Sequence, residues 1–391
     1  MPRRGAGQDC ETSMWIELTS DQELLRDTTA RYLGDKAPLA ALRKYRDHPA
    51  GFDPEYWTGG AELGWTMLLV SEDDGGGSVS GRGLADLALI AYEFGRHAAP
   101  GPLVDCNVVA SALTGNAGEL QQAVLGEILT GEAIASSCLG AAPWMQAGEA
   151  GIAITRDGED IVINGSVKPV ESGKQASYFL VTGASEGGMS QVLVPAGTAG
   201  VAVKGLKAID VTRRFAAVTF DNVRLPAGAL VGEFAGADEA VVSQVQNAAV
   251  ILCAESVGAM ESAFDMTVDW AFERYTFGRA LASYQALKHR FADMKSWLEA
   301  SHAICDAAAD AVADGAPLAF EKVCAAKSYI GQQGVELAQD CVQIHGGIGV
   351  TYEHDLHFYL RRVTLDRLLY GTPAEHRRWL AAMEIGQEKA A

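Results

Sequence analysis

The sequence predicts an α+β protein with a helical N-terminal region, a β-rich centre and a helical C-terminal bundle. Two observations predict it. The first and last stretches carry amphipathic segments with helical spacing. The middle carries short runs rich in Val, Ile, Thr and aromatics, cut by Gly, Pro, Asp and Asn. Strand runs lying between helix runs indicate segregated α and β regions rather than alternating βαβ units.

Residues 1–130 form the predicted N-terminal helical domain. Ser20 and Glu23 have capping-box spacing, and Leu25, Thr29, Tyr32 and Leu33 follow at helical intervals. GGG at 75–77 and GRG at 81–83 mark a loop before LADLALIAYEFGRHAAP, a helix closed by Pro100. AGELQQAVLGEILTG is a further amphipathic stretch. Residues 131–235 form the predicted antiparallel β-domain, with strands in IASSCLG, GIAITRDG, IVINGSV, YFLVTG, SQVLVPAG, VAVKG and AAVTFDNVRLP. Residues 236–391 return to helix in three long proline-free segments, as expected of helices packed side by side.

Composition narrows the function. With 31 Lys plus Arg against 50 Asp plus Glu, the formal net charge is −19. That balance argues against nucleic acid, which needs a basic face, and against anionic membranes. An anionic ligand must therefore be held by local basic clusters working against the overall field. Seven scattered cysteines without CxxC spacing read as reduced thiols rather than a disulfide framework or zinc site. No apolar run approaches a membrane span, and the basic start MPRRGAGQDCETS lacks an apolar h-region, so the expected location is cytoplasmic.

Three motifs carry chemistry: ERYTFGRALASYQALKHRFADM (273–294), QIHGGIGVTYEHDLHFYLRR (343–362) and FDNVRLPAGALVG (220–232). The Arg274 guanidinium can offer a planar fork to a pyrophosphate, Thr276 a hydroxyl and Phe277 a stacking face. Gly346 and Gly347 let backbone N–H groups approach a phosphate or ribose, and Gln343 can bond an adenine or a hydroxyl. His345, His354 and His357 lack further ligands that would complete a metal shell, so no metal is expected. Arg361 and Arg362 read as salt-bridging or solvent-facing residues.

Together these motifs resemble the acyl-CoA dehydrogenase family, loosely over most of the chain. The resemblance implies an N-terminal helical domain, a central antiparallel β-domain and a C-terminal four-helix bundle, usually assembled as tetramers. It implies FAD as cofactor, lying extended at a subunit interface. The redox-active ring would sit between the β-domain and the bundle, with the adenosine end also held by the neighbouring subunit. Arg274, Thr276, Phe277, Gln285, Gln343, Gly346, Gly347 and Thr372 are the matching cofactor-binding positions. The implied reaction is α,β-dehydrogenation of an acyl-CoA thioester, with an electron-transferring flavoprotein as the common acceptor.

The match then breaks where the chemistry is done. The family's glutamate base usually precedes a Gly-Thr, but here Tyr370 precedes Gly371-Thr372. A second group of members carries it on the long helix before the RxxFG motif. There the aligned residue is Ala248, followed by Ala249 where many members have a substrate-contacting arginine. A tyrosine, with an ordinary pKa near 10, is a poor replacement. Glu375, Asp366 and Glu255 are the nearby carboxylates in sequence. The family's flavin-binding TEPGxGSD-like strand is replaced by SCLGAAPWMQAGEAG. Pro169 and Glu171 stand where a flavin-stacking Trp and a Ser or Thr are common, with Trp144 a possible substitute aromatic. The adenosine-side half thus matches and the redox-side half does not. The first reading is an FAD-site-completing partner subunit of a heterotetramer. The alternatives are a homo-oligomeric enzyme with an unusual base and a redox-inactive CoA-binding homologue.

Overall fold

The computed structural model describes residues 18–46, 48–49, 51–142 and 150–390. Six helices come first: α1 (Ser20–Lys36), α2 (Leu39–Tyr45), α3 (Pro54–Glu62), α4 (Gly83–Arg96), α5 (Leu103–Leu113) and α6 (Glu119–Leu129). Eight strands follow: β1 (Ala135–Leu139), β2 (Ile152–Asp157), β3 (Asp160–Glu171), β4 (Tyr178–Ser185), β5 (Gly188–Pro195), β6 (Val201–Leu206), β7 (Phe215–Pro226) and β8 (Leu230–Val231). The C-terminal part contains α7 (Asp238–Glu273), the hairpin β9 (Tyr275–Thr276) and β10 (Arg279–Ala280), α8 (Gln285–Ala313), α9 (Ala319–His345), α10 (Leu356–Asp366) and α11 (Pro373–Ala390).

The capping box of α1 lies one residue before the expected one. The Thr19 side chain accepts from the Gln22 N–H, and the Gln22 side-chain oxygen accepts from the Thr19 N–H. Gln22 rather than Glu23 serves because its amide nitrogen also donates to the buried Asp86 at 2.8 Å, tying α1 to α4.

The sheet is mixed rather than antiparallel. Its order is β6-β7-β3-β2-β4-β5-β8, with β1 paired to β4. The β2–β3, β3–β7, β4–β5, β5–β8 and β6–β7 pairs are antiparallel, but β1–β4 and β2–β4 are parallel. The β2–β3 hairpin supplies the long crossover that a parallel β1–β4 pair requires. Ile152, Ile154, Phe179, Val192, Val218 and Phe220 form a core within this layer.

The larger core joins both helical regions through α7. By length and composition α7 could cross a membrane, contrary to the sequence reading, but it is mostly buried as the central helix of the bundle. It meets α4 at backbone distance. A Cβ at Gly258 would stand 2.0 Å from the Tyr92 carbonyl oxygen, and one at Gly95 would stand 1.8 Å from that of Glu255. Glycine at both crossings lets the helices touch and sets Glu255 at the junction of the layers.

Candidate cofactor grip and active-site region

The C-terminal ends of α7 and α9 meet at one end of the bundle. Trp270 bridges them: its ring stacks on His345 at 5.2 Å and 16°, and the Arg274 guanidinium lies 5.8 Å from the Trp270 ring centre. His345 stacks edge-on to His354 at 4.6 Å, and its Nδ1–H donates to the Cys341 carbonyl at 2.8 Å. Burial lowers the pKa of both histidines, so these rings act as neutral packing groups. Among the described residues, no cluster of His, Cys, Asp or Glu is placed to hold a metal ion.

The β9–β10 hairpin projects from this end. Its turn residues, Phe277 and Gly278, both have positive φ (50° and 79°), as a two-residue type I′ turn requires. For phenylalanine that conformation costs about 1–2 kcal/mol, yet its ring is 99% exposed. Tyr284 pins the hairpin to the start of α8, where its hydroxyl donates to the Thr276 carbonyl at 2.8 Å and its ring carries Arg279 at 3.8 Å. Arg274, Thr276, Phe277 and Gln285 are therefore brought together, with Gln343, Gly346 and Gly347 joined through Trp270 and His345. Arg274, Phe277, Gln285, Gln343, Gly346 and Gly347 are all exposed. A Cβ at Gly346 or Gly347 would meet nothing within 4 Å, so an open cradle faces outward.

Thr372 lies apart from this cluster. It caps α11: the Thr372 N–H and hydroxyl donate to Glu375 at 2.7 Å each, and the Glu375 N–H donates back to the hydroxyl at 3.3 Å. The neighbouring Pro373 packs beside Gly331, roughly 18 Å along α9 from Gln343 at 1.5 Å per residue. Glu375 is thus a helix-capping carboxylate, and its pKa is lowered chiefly by the Thr372 N–H.

The two expected base positions hold no carboxylate in space either. Ala248 and Ala249 are fully buried in the core. Tyr370 has φ +52° and donates its hydroxyl to Asp105 Oδ1 at 2.7 Å, while the other Asp105 oxygen accepts from the Ser137 N–H at 3.1 Å. Asp105 comes from α5. Burial, reinforced by Glu171, raises its pKa to about 7.

Beside this pair a buried charge network stitches the sheet to the bundle. Arg213, in the β6–β7 connection, forks onto Glu171 at the end of β3 (2.6 and 2.5 Å). Its remaining nitrogen reaches Glu255 on α7 and Asp366 on α10, both at 3.0 Å. Arg362 binds Asp210 at 2.6 Å, the second oxygen of Glu255, Thr212 and the carbonyls of Ala98 and Ala99. The Lys327 ammonium donates to the Asp366 carbonyl. All these side chains are buried. Five carboxylates (Asp105, Glu171, Asp210, Glu255, Asp366) face Arg213, Arg362 and Lys327, and burial lowers the pKa of Lys327. Burial raises the pKa of Asp105 and of Asp366, and a neighbouring carboxylate (Glu171 for Asp105, Glu255 for Asp366) adds to it.

Glu255 and Asp366, like Glu375, are therefore committed to structure rather than free to act as bases. Arg362 does salt-bridge, as expected of it, while Arg361 donates to the Ile209 carbonyl at 2.8 Å. Trp144 lies outside the described residues. Sequence reasoning missed Asp105, Asp210, Arg213 and Lys327. For Asp105 and Lys327 the available signal was a lone charge in an apolar helical run, as in LVDCNVVASAL and VCAAKSYIG.

The model of the acyl-CoA dehydrogenase N-terminal domain matches residues 19–132, and that of the C-terminal domain matches residues 239–384. The chain belongs to the acyl-CoA dehydrogenase family. Acyl-CoA dehydrogenase IpdE2 of Mycobacterium tuberculosis is 28% identical over 91% of this chain and 94% of that protein. The Mycolicibacterium smegmatis protein of the same name is 29% identical over 93% and 99%. Among solved structures, the Tcur3481-Tcur3483 steroid ACAD superposes with TM-score 0.84 at 25% identity, covering 95% of this chain and 99% of that one. Butyryl-CoA dehydrogenase from Megasphaera elsdenii shares the fold at TM-score 0.84 and 20% identity, covering 95% and 99%. This acyl-CoA dehydrogenase homologue thus keeps the family fold around a buried charge network.

Proposed function

We propose that this chain is the FAD-site-completing subunit of a heteromeric acyl-CoA dehydrogenase, lending an adenosine grip to a partner that carries the base. The observation that carries the reading is the buried Arg213 bridge. It spans from Glu171, on the sheet, to Glu255 and Asp366, on the bundle. That is the crevice in which the family resemblance would seat the redox-active ring. Opening it would strand buried carboxylates without their cation.

The two halves fit FAD differently. At the hairpin end, an exposed Arg274, a strained and exposed Phe277 and two unobstructed glycines suit an extended dinucleotide bridging to another subunit. Arg274 would hold the pyrophosphate through its planar fork, Phe277 would cover an apolar face and Gln343 would bond the adenosine. At the redox end, the residues present leave the ring no seat. FAD in such enzymes accepts the substrate's β-hydrogen as hydride. This chain's contribution is to orient and enclose the far end of the cofactor. A 25%-identical solved structure whose name joins two designations, Tcur3481 and Tcur3483, is consistent with a two-component assembly. Acyl-CoA as substrate and an electron-transferring flavoprotein as acceptor follow for the assembled enzyme.

The test is co-expression with a dehydrogenase-like chain that keeps the glutamate, followed by flavin and subunit stoichiometry. Two FAD per α2β2 tetramer are expected, with loss of flavin in Arg274→Ala. One FAD retained per subunit by the lone chain, together with turnover of acyl-CoA, would refute the proposal. One observation favours the homo-oligomeric alternative: Asp105, titrating near neutrality, touches the residue at the base position. That alternative requires turnover by the lone chain that Asp105→Asn abolishes.

A further inference from the structure

The seam between α4 and α8 holds a second cluster of titratable groups, apart from the Arg213 network and the hairpin cradle. α8 carries His302, Asp306 and Asp310, with Asp314 at its C-cap, at four-residue intervals that place them in one row along the helix. The row meets the N-terminal helical domain at both ends. At one end the Tyr92 ring of α4 lies 5.7 Å from the His302 ring. Glu261 of α7 accepts there from the Tyr92 hydroxyl, and the same carboxylate oxygen stands 3.3 Å from His302 Nε2. At the other end Arg82, just before α4, pairs with Asp310 at 2.9 Å and with Asp314 at 3.0 Å.

Asp306 stands between these ends and is the unpaired member of the row. Its Oδ2 is buried without a hydrogen-bond partner, and its carboxyl forms no ion pair among the described residues. An orphaned carboxyl oxygen is costly to bury, and costlier when the group is charged. Its own helix brings His302 and Asp310. From α4 and its lead-in come Arg82, Glu93, which lies 3.7 Å from His97, and Arg96, which lies 4.0 Å from Asp265. From α7 come Glu261 and Asp265. On α9, Lys327 donates to the Asp366 carbonyl, while the half-buried Glu321 and the exposed Lys322 stand at the start of the helix. The cations within the row's reach, His302 and Arg82, already serve other carboxylates. Burial raises the Asp306 pKa to about 6, with His302 opposing the shift and Asp310 adding to it.

We propose that Asp306 is a proton-sensitive clasp between the N-terminal helical domain and the bundle. Protonated, its carboxyl brings no charge into the row, and the Glu261–His302 and Arg82–Asp310 pairs hold α8 against α4. Ionised, it competes with Glu261 for His302, its neighbour one turn away, and sets a second negative charge beside Asp310. Folding favours the protonated form, so the contribution is whole below the unfolded value of 3.8 and is lost as pH rises through about 6. Between pH 5 and pH 8 the equilibrium for opening the seam shifts roughly tenfold toward the open form. The contact of α4 with α7 at Gly95 and Gly258 does not involve this row, so the loosening is confined to α8.

The experiment is hydrogen exchange of the full-length chain, read by mass spectrometry from pH 5 to pH 8 and corrected for intrinsic rates. Protection of peptides covering 83–97 and 298–314 is expected to fall roughly tenfold further in the wild type than in Asp306→Asn, which keeps the shape of the side chain and removes its titration. Glu93, which burial pushes up to about 7, titrates in both proteins and cancels in that comparison. Arg82→Ala, at a partly exposed position, is the second variant. There Asp310 loses its cation, so the fall in protection should be centred at a higher pH than in the wild type. A merely structural role for Asp306 would instead change protection in Asp306→Asn by the same factor at every pH. Such parallel profiles, or an Arg82→Ala profile lowered evenly with its midpoint unmoved, would overturn the proposal.

Discussion

Asp105→Asn isolates the protonation that the buried interior demands. In the folded chain the Asp105 carboxyl titrates at about 7, against an ordinary value of 3.8, with burial the largest cause. A raised pKa means that folding favours the protonated acid. The contribution is present in full below the unfolded pKa and is lost as pH rises through the folded one. At 1.36 kcal/mol per unit the total loss is roughly 4 kcal/mol, of which about 2–3 kcal/mol falls between pH 5 and pH 8. Asparagine mimics the protonated acid. Its carbonyl oxygen can accept from the Ser137 N–H while its amide donates to the Tyr370 hydroxyl, which can accept as well as donate. Urea unfolding should therefore show wild-type stability falling more steeply from pH 5 to pH 8 than that of Asp105→Asn. The gap between the two should widen by roughly 2–3 kcal/mol. Parallel pH profiles would refute the reasoning. Glu171 and Asp366, also raised by burial, titrate in both proteins and largely cancel in the difference.

Other outcomes follow from the same geometry. Arg213→Met should destabilise the chain by about 3–5 kcal/mol, because Glu171, Glu255 and Asp366 lose their shared cation, as measured by urea midpoint at neutral pH. Tyr370→Glu, which restores the family residue at the base position, should leave the lone chain without acyl-CoA turnover, since the Arg213 bridge still closes the crevice; a dye-reduction assay checks this. Phe277→Asn should relieve left-handed strain and leave melting of the isolated chain unchanged or slightly raised. It should also weaken flavin-dependent assembly, read by size-exclusion chromatography. Thr372→Ala should cost about 1 kcal/mol through the lost α11 cap, seen as a lowered melting temperature.

Much of the architecture was legible because periodicity is local. Each of the seven strand-forming runs contains or overlaps a strand, and the long C-terminal segments lie in α7, α8 and α9. The parallel pairing of β1 with β4 was not legible, since strand direction depends on a crossover between distant segments. Nor was α5 recognised: LVDCNVVASAL is buried nearly all round, and such a run gives no amphipathic stripe. The reading that no apolar run approaches a membrane span passed over α7, since a mostly buried bundle helix and a membrane span share their composition. At the site, the motif residues of the adenosine half gather at one bundle end, Thr372 excepted. The buried network beside Tyr370 was hidden because its members, Asp105, Glu171, Arg213 and Tyr370, are far apart in the chain and meet only through tertiary packing.

The division between an open outer half and a sealed inner half has a thermodynamic logic. A seat for an isoalloxazine ring is a preorganised hollow, and a subunit that never fills it would carry unpacked walls between sheet and bundle. On the proposed reading that space is taken by side chains. Arg213 binds three carboxylates from β3, α7 and α10, and Glu255 links it to Arg362, which reaches the β6–β7 connection and the loop after α4. A network satisfied from this many elements rigidifies the interior, because shifting one member leaves another charge unpaired. The hairpin end shows the opposite pattern: Phe277 keeps a disfavoured conformation and full exposure, with no return inside the isolated chain. Strain retained at an exposed hairpin and charges paired across an interior are what a subunit needs if its contribution is made outside its own boundary. The order of events under denaturant tests this. If the seal is the structural centre, hydrogen exchange should be slowest in α7 around Glu255 and in α10 around Arg362, and fast in the β9–β10 hairpin until a partner and flavin cover it. Fast exchange around Glu255 in the lone chain would show that the seal is not the centre of its stability.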